Sequence, residues 1–449
     1  MRAAALLAFV IGAACSSEPH HTSPLWSDGT HLRDDQGRIA LLRGVNARVD
    51  GVFDVTFSDG RTTLEPIPAL DDADCARMHE LGLDFLRLPI NWSAIEPTQG
   101  TYDDSYLDRV DAAVQCAARA NVYVLIDLHE DAYSKEIGED GAPLWAIQPP
   151  PDMLLQGPLT DLGTRRTSAQ VTAAFNTFFA DGDPSGLQAA FDDMLDHVAR
   201  RWADDPAVIG FELYNEPPVG ESLVDAFSTT AAARVRAAAP DKLVLFEPTA
   251  LRNLVDFAPK AQAPFPVDNA VYAPHVYTYV FAPDDTSLRN LDPANLEPSV
   301  SGARDEASAW HTPLVIGEFG IGPTAPNADL WMQTEATLHD RYLASDAFWL
   351  WKEESQASWG VFDRTADGWT ERPQVVAWIS RPHAARLAGT VVANEYDGAA
   401  RSLHIETHGG GTHSVFVPAG YSVTCNGDAM SVSSGFVEVA CDGMLDVAR

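Results

Sequence analysis

Two glutamates stand where a chain of this kind can do chemistry. Glu216 ends the run VIGFELYNEPP (Val208–Pro218), directly after Asn215, and Glu318 lies near the end of PLVIGEFG (Pro313–Gly320). Both runs are apolar and rich in β-branched and aromatic residues, the composition of a parallel strand buried on both faces. The C-terminal ends of such strands are where a (β/α)8 barrel carries its reactive groups. Two carboxyl groups facing one cleft suit glycoside hydrolysis, one protonating the leaving oxygen while the other attacks or activates water. A single glutamate at a strand end is as often a solvated carboxylate; the pair, on two strands of the same kind, carries the weight.

The elements that must position this pair recur along the chain. Apolar runs occur at 39–46, 84–90, 122–129, 208–215, 242–248, 270–277, 313–320 and 347–353. Helical periodicity lies between them, at 71–81, 106–120, 186–202, 221–239, 301–310 and 329–345. Strands alternating with helices build a parallel sheet, and eight such units close a barrel. The expected fold is therefore an α/β TIM barrel over 24–383, with the two carboxylates on its fourth and seventh strands. Ahead of the first strand, turns at Asp28-Gly29 and Gln36-Gly37 predict a hairpin across the bottom of the barrel. The connections 130–185 and 278–298 exceed what a βα unit needs. Both follow a strand, which makes them walls of the cleft. From 384 to 449 short alternating runs separated by Gly, Asn and Asp predict a small C-terminal antiparallel β-sandwich domain.

Asn215-Glu216-Pro217 with Glu318 resembles the catalytic signature of glycoside hydrolase family 5 and its retaining barrel clan. The resemblance implies that Glu216 is the acid/base and Glu318 the nucleophile. It extends to Arg87 in LRLP, His129 on the third strand, His275 and Tyr277 in APHVY, and Trp349 (with Trp351 as second choice) on the eighth. These imply substrate-binding and supporting roles, with Asn215 on the sugar 2-hydroxyl and Trp349 under the ring. A retaining mechanism places the carboxyl groups about 5–5.5 Å apart. Arg87 and the Tyr277 hydroxyl are expected to hold Glu318 ionised. Burial and the charge on Glu318 are expected to raise the pKa of Glu216 so that it starts protonated. The third-strand end DLHEDAYS, the mouth insertion, the leader and the trailing β-domain are similar to the endoglycoceramidase branch of the family. That branch cuts the bond between an oligosaccharide and ceramide, and its His-x-Asp aspartate, here Asp131, contacts glucose. The branch tends to carry a lysine soon after the first strand. RGVNARVDG offers Arg48 and Asp50 instead, pointing to a different headgroup such as a galactose-linked one or a simple glucosylceramide. A β-glucanase, mannanase or β-glucosidase of the same family is the alternative enzyme. A surface lipoprotein that binds glycans without cutting them is the alternative of another class, and it does not require both glutamates. The implied partner is a glycolipid or β-linked oligosaccharide, and neither metal nor organic cofactor is implied.

The 449 residues suffice for a barrel of about 250 residues with additions. A net charge of −34, spread along the chain, disfavours nucleic acid and anionic membrane surfaces. Arg2 followed by the apolar stretch 3–14 reads as an export leader, too short to span as a helix. Cys15 follows at once, so two outcomes stand open for residues 1–23: a lipoprotein attached to a membrane through lipidated Cys15, or a secreted protein cleaved near Ala14. Four other cysteines remain, an even number. Cys75 and Cys116 fall on successive helices and Cys425 and Cys441 in the β-rich tail, which predicts disulfides Cys75–Cys116 and Cys425–Cys441. The expected species is an exported monomer.

Overall fold

The computed structural model describes residues 23–255, 264–354, 359–366 and 368–449; the stretch expected to be a leader, with Cys15, lies outside them. The chain opens with three short strands, β1 (Trp26–Ser27), β2 (Leu32–Arg33) and β3 (Ile39–Ala40). The barrel strands follow: β4 (Arg43–Asn46), β5 (Phe85–Ile90), β6 (Tyr123–Leu128), β7 (Val208–Glu212), β8 (Leu243–Phe246), β9 (Ala270–Tyr272), β10 (Val315–Phe319) and β11 (Ser345–Phe348). They pair in parallel in the order β10-β11-β4-β5-β6-β7-β8-β9. Parallel bridges Tyr272↔Leu314 and Val276↔Phe319 join β9 to β10 and close the ring. Eight parallel strands with intervening helices make the expected TIM barrel.

Two apolar layers explain why the strands read as continuous hydrophobic runs. Inside the barrel, Leu42, Phe85, Leu125, Ile209, Leu245, Val271, Val315 and Ala347 form one buried cluster. Outside, Leu86, Leu88, Val124, Ile126, Val208, Phe211 and Ile316 pack against the helices. Helix Asp72–Glu80 starts in a capping box built by Asp71 and Asp74, and Asp103 caps helix Asp104–Arg119. A disulfide joins these two helices through Cys75 and Cys116, with Cα atoms 6.0 Å apart.

After the barrel come the hairpin β12 (Phe362–Thr365) and β13 (Gly368–Glu371) and then β14 (His383–Leu387), β15 (Thr390–Asp397), β16 (Ser402–His408), β17 (Thr412–Val417), β18 (Ser422–Cys425), β19 (Asp428–Met430), β20 (Gly435–Ala440) and β21 (Gly443–Ala448). They form sheets β1-β2-β3-β14-β17-β20 and β15-β16-β21-β18-β19. Leu387, Leu403, Ile405, Val415, Val439 and Leu445 fill the space between them. Cys425 and Cys441 form the second disulfide, with Cα atoms 5.8 Å apart. The opening strands are part of this sandwich, because β3 pairs with β14 through Ala40↔Arg386 and Ile39↔Leu387. The expected boundary at 384 thus falls inside a strand, and both ends of the described chain build the second domain. Pairing satisfies an edge of β3 that a separate hairpin would leave open. An ion pair ties the two domains together: Arg386 of β14 meets Asp84, just ahead of β5, at 3.4 Å.

Candidate active site

The C-terminal ends of the barrel strands surround a cleft of about 250 Å³ that includes Glu216, Glu318, Asp131, Tyr277 and Trp349. Glu318 is carried directly on β10. Its Oε1 accepts from Arg87 Nη1 at 2.7 Å and its Oε2 from the Tyr277 hydroxyl at 2.9 Å. Donors on both oxygens suit a carboxylate acceptor. Glu216 lies just beyond β7, with its backbone in the left-handed region at φ +45°. Its Oε1 takes hydrogen bonds from Asn253 Nδ2 at 2.6 Å and pairs with His275 Nδ1 at 2.8 Å. One oxygen of Glu216 and one of Glu318 lie within 4.8 Å of each other.

Arg87 is the fixed point beneath them. Fully buried on β5, it reaches Glu212 (2.6 Å), Asp127 (3.1 Å), Glu247 (3.3 Å) and Glu318 (2.7 Å). Its Nη2 also donates to Asn215 Oδ1 at 2.9 Å, holding that amide beside Glu216. With Asn46 Oδ1 at 3.0 Å, six groups on one guanidinium explain why arginine, with its rigid fork of donors, stands here. His129 Nδ1 is tied to Asp127 at 2.7 Å, leaving Nε2 facing Asp131 at 3.8 Å. The His129 ring stacks parallel to Trp349, with centroids 5.8 Å apart. Asp131 Oδ1 accepts from Asn215 Nδ2 at 3.3 Å, and its other oxygen pairs with Arg166. Trp351, the second choice, points away from the cleft, donating from Nε1 to Asp74 at 3.1 Å behind the barrel wall.

The protonation of Glu216 differs from expectation. Burial does push its carboxyl up, but the hydrogen bond and charge of His275, followed by Arg166 and His129, bring it down to about 2. His275 is the counterpart. Burial works against its charge, yet Glu247, Glu318 and Glu216 hold it well above the ordinary histidine range. Both directions favour the proton on the His275 side of this 2.8 Å contact. Asp131 moves the other way, raised by burial to about 6 against the opposing pull of Arg166. Burial and then the Glu318 charge raise the Tyr277 hydroxyl well above its usual value, which keeps it a donor.

Three further groups shape the cleft, of which the sequence reading passed over Arg166. Arg166, on the short helix Leu162–Arg166 of the third connection, closes one side of the cleft by pairing with Asp131 and Glu139. Nothing in DLGTRRTS sets one arginine apart. Glu247 had a signal, because FEP ends the fifth strand as NEP ends the fourth. Arg48 lies over Trp349 (5.9 Å to the ring centre) between Glu65 (2.5 Å) and Glu353 (3.3 Å). Phe281 also stacks on Trp359 at 5.8 Å, and Tyr277 lies 4.9 Å from Phe281. Phe281 is 54% exposed, so this aromatic wall opens to solvent. The cleft is thus lined both by ion-paired polar groups and by an aromatic cluster.

A barrel with two facing glutamates at its strand ends, one backed by arginine and tyrosine, defines the class of barrel glycosidases. The family model Cellulase (glycosyl hydrolase family 5) matches residues 55–355, and the chain belongs to that family. Endoglycoceramidase I of Rhodococcus hoagii (strain 103S) is 31% identical over 323 residues, 66% of this chain and 63% of that protein. The match therefore spans less than two thirds of the relative's length. Among solved structures, the crystal structure of endogalactoceramidase aligns with a TM-score of 0.74 at 23% identity, covering 95% of this chain and 99% of that one. The lactosyl-enzyme intermediate of endo-glycoceramidase II from Rhodococcus sp. aligns at 0.72 and 23% identity, covering 93% and 98%. At these identities the two structures establish the shared fold.

Proposed function

We propose that this protein is a retaining β-glycosidase that cleaves the glycan–ceramide bond of glycosphingolipids. The observation that carries the reading is the pair of facing glutamate oxygens within 4.8 Å. So close an approach of the nearest oxygens suits the short spacing of a retaining pair, about 5–5.5 Å between carboxyl groups, better than the roughly 6.5–9.5 Å of an inverting one. Glu318 attacks the anomeric carbon, the glycosidic C–O bond breaks, and the leaving oxygen takes a proton from Glu216. Glu216 then takes a proton from water, whose oxygen displaces Glu318 and regenerates its carboxylate. Asn215, held by Arg87 and Asp131, is placed to meet the sugar 2-hydroxyl, and Trp349 to meet the ring. The His275–Glu216 contact supplies the proton: the short bond allows it to pass to Glu216 when a bound glycoside displaces water and lowers the local polarity.

The mixed lining of the cleft supports a lipid aglycone. Asp131, Glu139, Arg166 and Arg48 suit a glycan, while Tyr277, Phe281 and Trp359 suit an apolar chain. The resemblance to Endoglycoceramidase I supports the same substrate class. Arg48, locked between Glu65 and Glu353 where the branch tends to carry lysine, supports a headgroup other than the usual one, with galactose-linked and simple glucosyl lipids foremost. Export is part of the proposal. It is supported by the Arg2–Ala14 pattern and by two disulfides, which persist in oxidising compartments.

The test is incubation with short-chain fluorescent lactosyl-, glucosyl- and galactosylceramide, with products read by mass spectrometry and Glu318→Gln as control. Released ceramide with an intact sugar moiety, lost in the variant, supports the reading. Cleavage of β-glucans with none of the lipids turned over would replace it by a polysaccharide hydrolase.

A further inference from the structure

The reaction as written does not use Glu247, a carboxylate buried just past β8. It nevertheless touches three parts of the site. Its Oε2 accepts from the backbone N–H of Glu216 at 3.1 Å. Its Oε1 lies 3.3 Å from His275 Nε2 and 3.3 Å from Arg87 Nη2. Resting on the reading of Glu216 as acid/base, we propose that Glu247 is the positioning residue for that role, fixing both the Glu216 backbone and the tautomer of His275 that exchanges a proton with Glu216.

The backbone argument comes first. A non-glycine residue at φ +45° costs free energy and persists only where its surroundings hold it. Glu216 is such a residue, and its N–H is anchored on Glu247. The tautomer argument follows from the two ring nitrogens of His275. Nδ1 faces Glu216 at 2.8 Å and Nε2 faces Glu247. A neutral imidazole keeps one proton, and the Glu247 carboxylate, 3.3 Å from Nε2, favours it there by charge without an aligned hydrogen bond. Nδ1 is then the nitrogen that gains or loses one. When the Nδ1 proton passes to Glu216 Oε1, its electron pair stays on Nδ1 and His275 becomes neutral without reorienting. The leaving oxygen then takes that proton from Glu216, and in the second step Glu216 recovers one from water.

The groups facing this unit are Arg87 on β5, Glu212 on β7, Glu216 after β7, and Glu318 on β10, which lies 3.5 Å from His275 Nδ1. Asp127 on β6 adds its charge through Arg87. Burial raises the Glu247 carboxyl above the ordinary carboxylate range while His275 pulls it back, so the charge on Glu247 is linked to that on His275.

Glu247→Gln tests the proposal. The amide cannot accept from both Glu216 N–H and His275 while carrying no charge, so the shared proton is held less tightly. The alkaline limb of kcat/KM on a fluorescent glycosylceramide should move down by about one pH unit or more. Above that limb the rate on the glycolipid should fall at least about tenfold, while a dinitrophenyl β-glycoside, whose leaving group needs no proton, should lose less than about threefold in glycosylation. Glu247→Asp, which keeps the charge, should restore the limb toward its wild-type position, and thermal melts confirm that each variant is folded. An unmoved limb with equal losses on both substrates would overturn the proposal and leave Glu247 a packing residue. Glu216→Ala run in parallel separates the two claims. If Glu216→Ala keeps the wild-type limb and turnover, the acid/base reading itself fails. If Glu216→Ala abolishes the limb and Glu247→Gln does not move it, only the role of Glu247 fails.

Discussion

Removing the Tyr277 hydroxyl isolates one contribution to the reaction. Tyr277→Phe deletes the 2.9 Å hydrogen bond to Glu318 Oε2 and keeps the ring against Phe281. The next donor to that oxygen is His275 Nδ1 at 3.5 Å, already engaged by Glu216 at 2.8 Å. No replacement is at hand, so the loss is that of a buried hydrogen bond to a charged group, about 1.5–3 kcal/mol. The effect falls mainly on the second step. There Glu318 changes from a neutral ester back to a carboxylate, and a donor poised on its oxygen stabilises the charge as it develops. At about 1.4 kcal/mol per decade, deglycosylation should slow by roughly 10- to 150-fold. The assay is stopped-flow release of a fluorescent aglycone from an aryl β-lactoside. The wild type should show steady release, whereas Tyr277→Phe should show a burst approaching one aglycone per enzyme and then a slow phase. A variant with no burst and less than about threefold loss would refute the assignment of Tyr277 to Glu318.

Three further outcomes follow from the same contacts. Arg87→Met strands Asp127, Glu212, Glu247 and Glu318 without their common cation. Urea unfolding should show a loss of about 3–5 kcal/mol, and a variant as stable as wild type would contradict the hub. Replacing Cys75 and Cys116 together by Ser opens a cross-link between positions separated by 41 residues, which should cost about 4 kcal/mol by the chain-entropy relation; an unchanged urea midpoint would contradict it. His383 is held down to about 3, by burial first and then by Arg381 and Arg43. Its folded pKa lies below the unfolded value near 6.5, so the unfolded state binds the proton more readily in that window. Its contribution is present above about pH 6.5 and is lost as pH falls toward 3. His383→Gln should flatten that part of a melting-temperature profile, and an unchanged acid limb would contradict the assignment.

The barrel could be read from the chain because its strands are buried on both sides and so stand out as apolar runs. The same physics placed Glu216 and Glu318 at strand ends, the family resemblance added Arg87, His275 and Tyr277, and the structure brings the five together. Pairing over long separations could not be read. β3 finds its partner β14 some three hundred residues away along the chain, which no local pattern encodes. Trp349 and Trp351 are separated only by the direction each side chain takes after β11. The low pKa of Glu216 follows from a 2.8 Å contact with His275 that position along two strands does not specify. Glu247 was visible as a strand-end carboxylate, but its three contacts lie on other elements. Arg166 enters from an insertion whose course over the cleft is set by tertiary packing.

The central claim is that Glu318 becomes covalently bound to the sugar. Incubation with a 2-deoxy-2-fluoro-β-glycosyl fluoride slows the release of that intermediate, and digestion followed by peptide mass analysis locates it. One sugar per protein on the peptide carrying Glu318, together with β-configured product in the first minutes of natural turnover by NMR, is the result expected of double displacement. Inverted product, or a sugar carried by any other residue, would contradict the account at its centre.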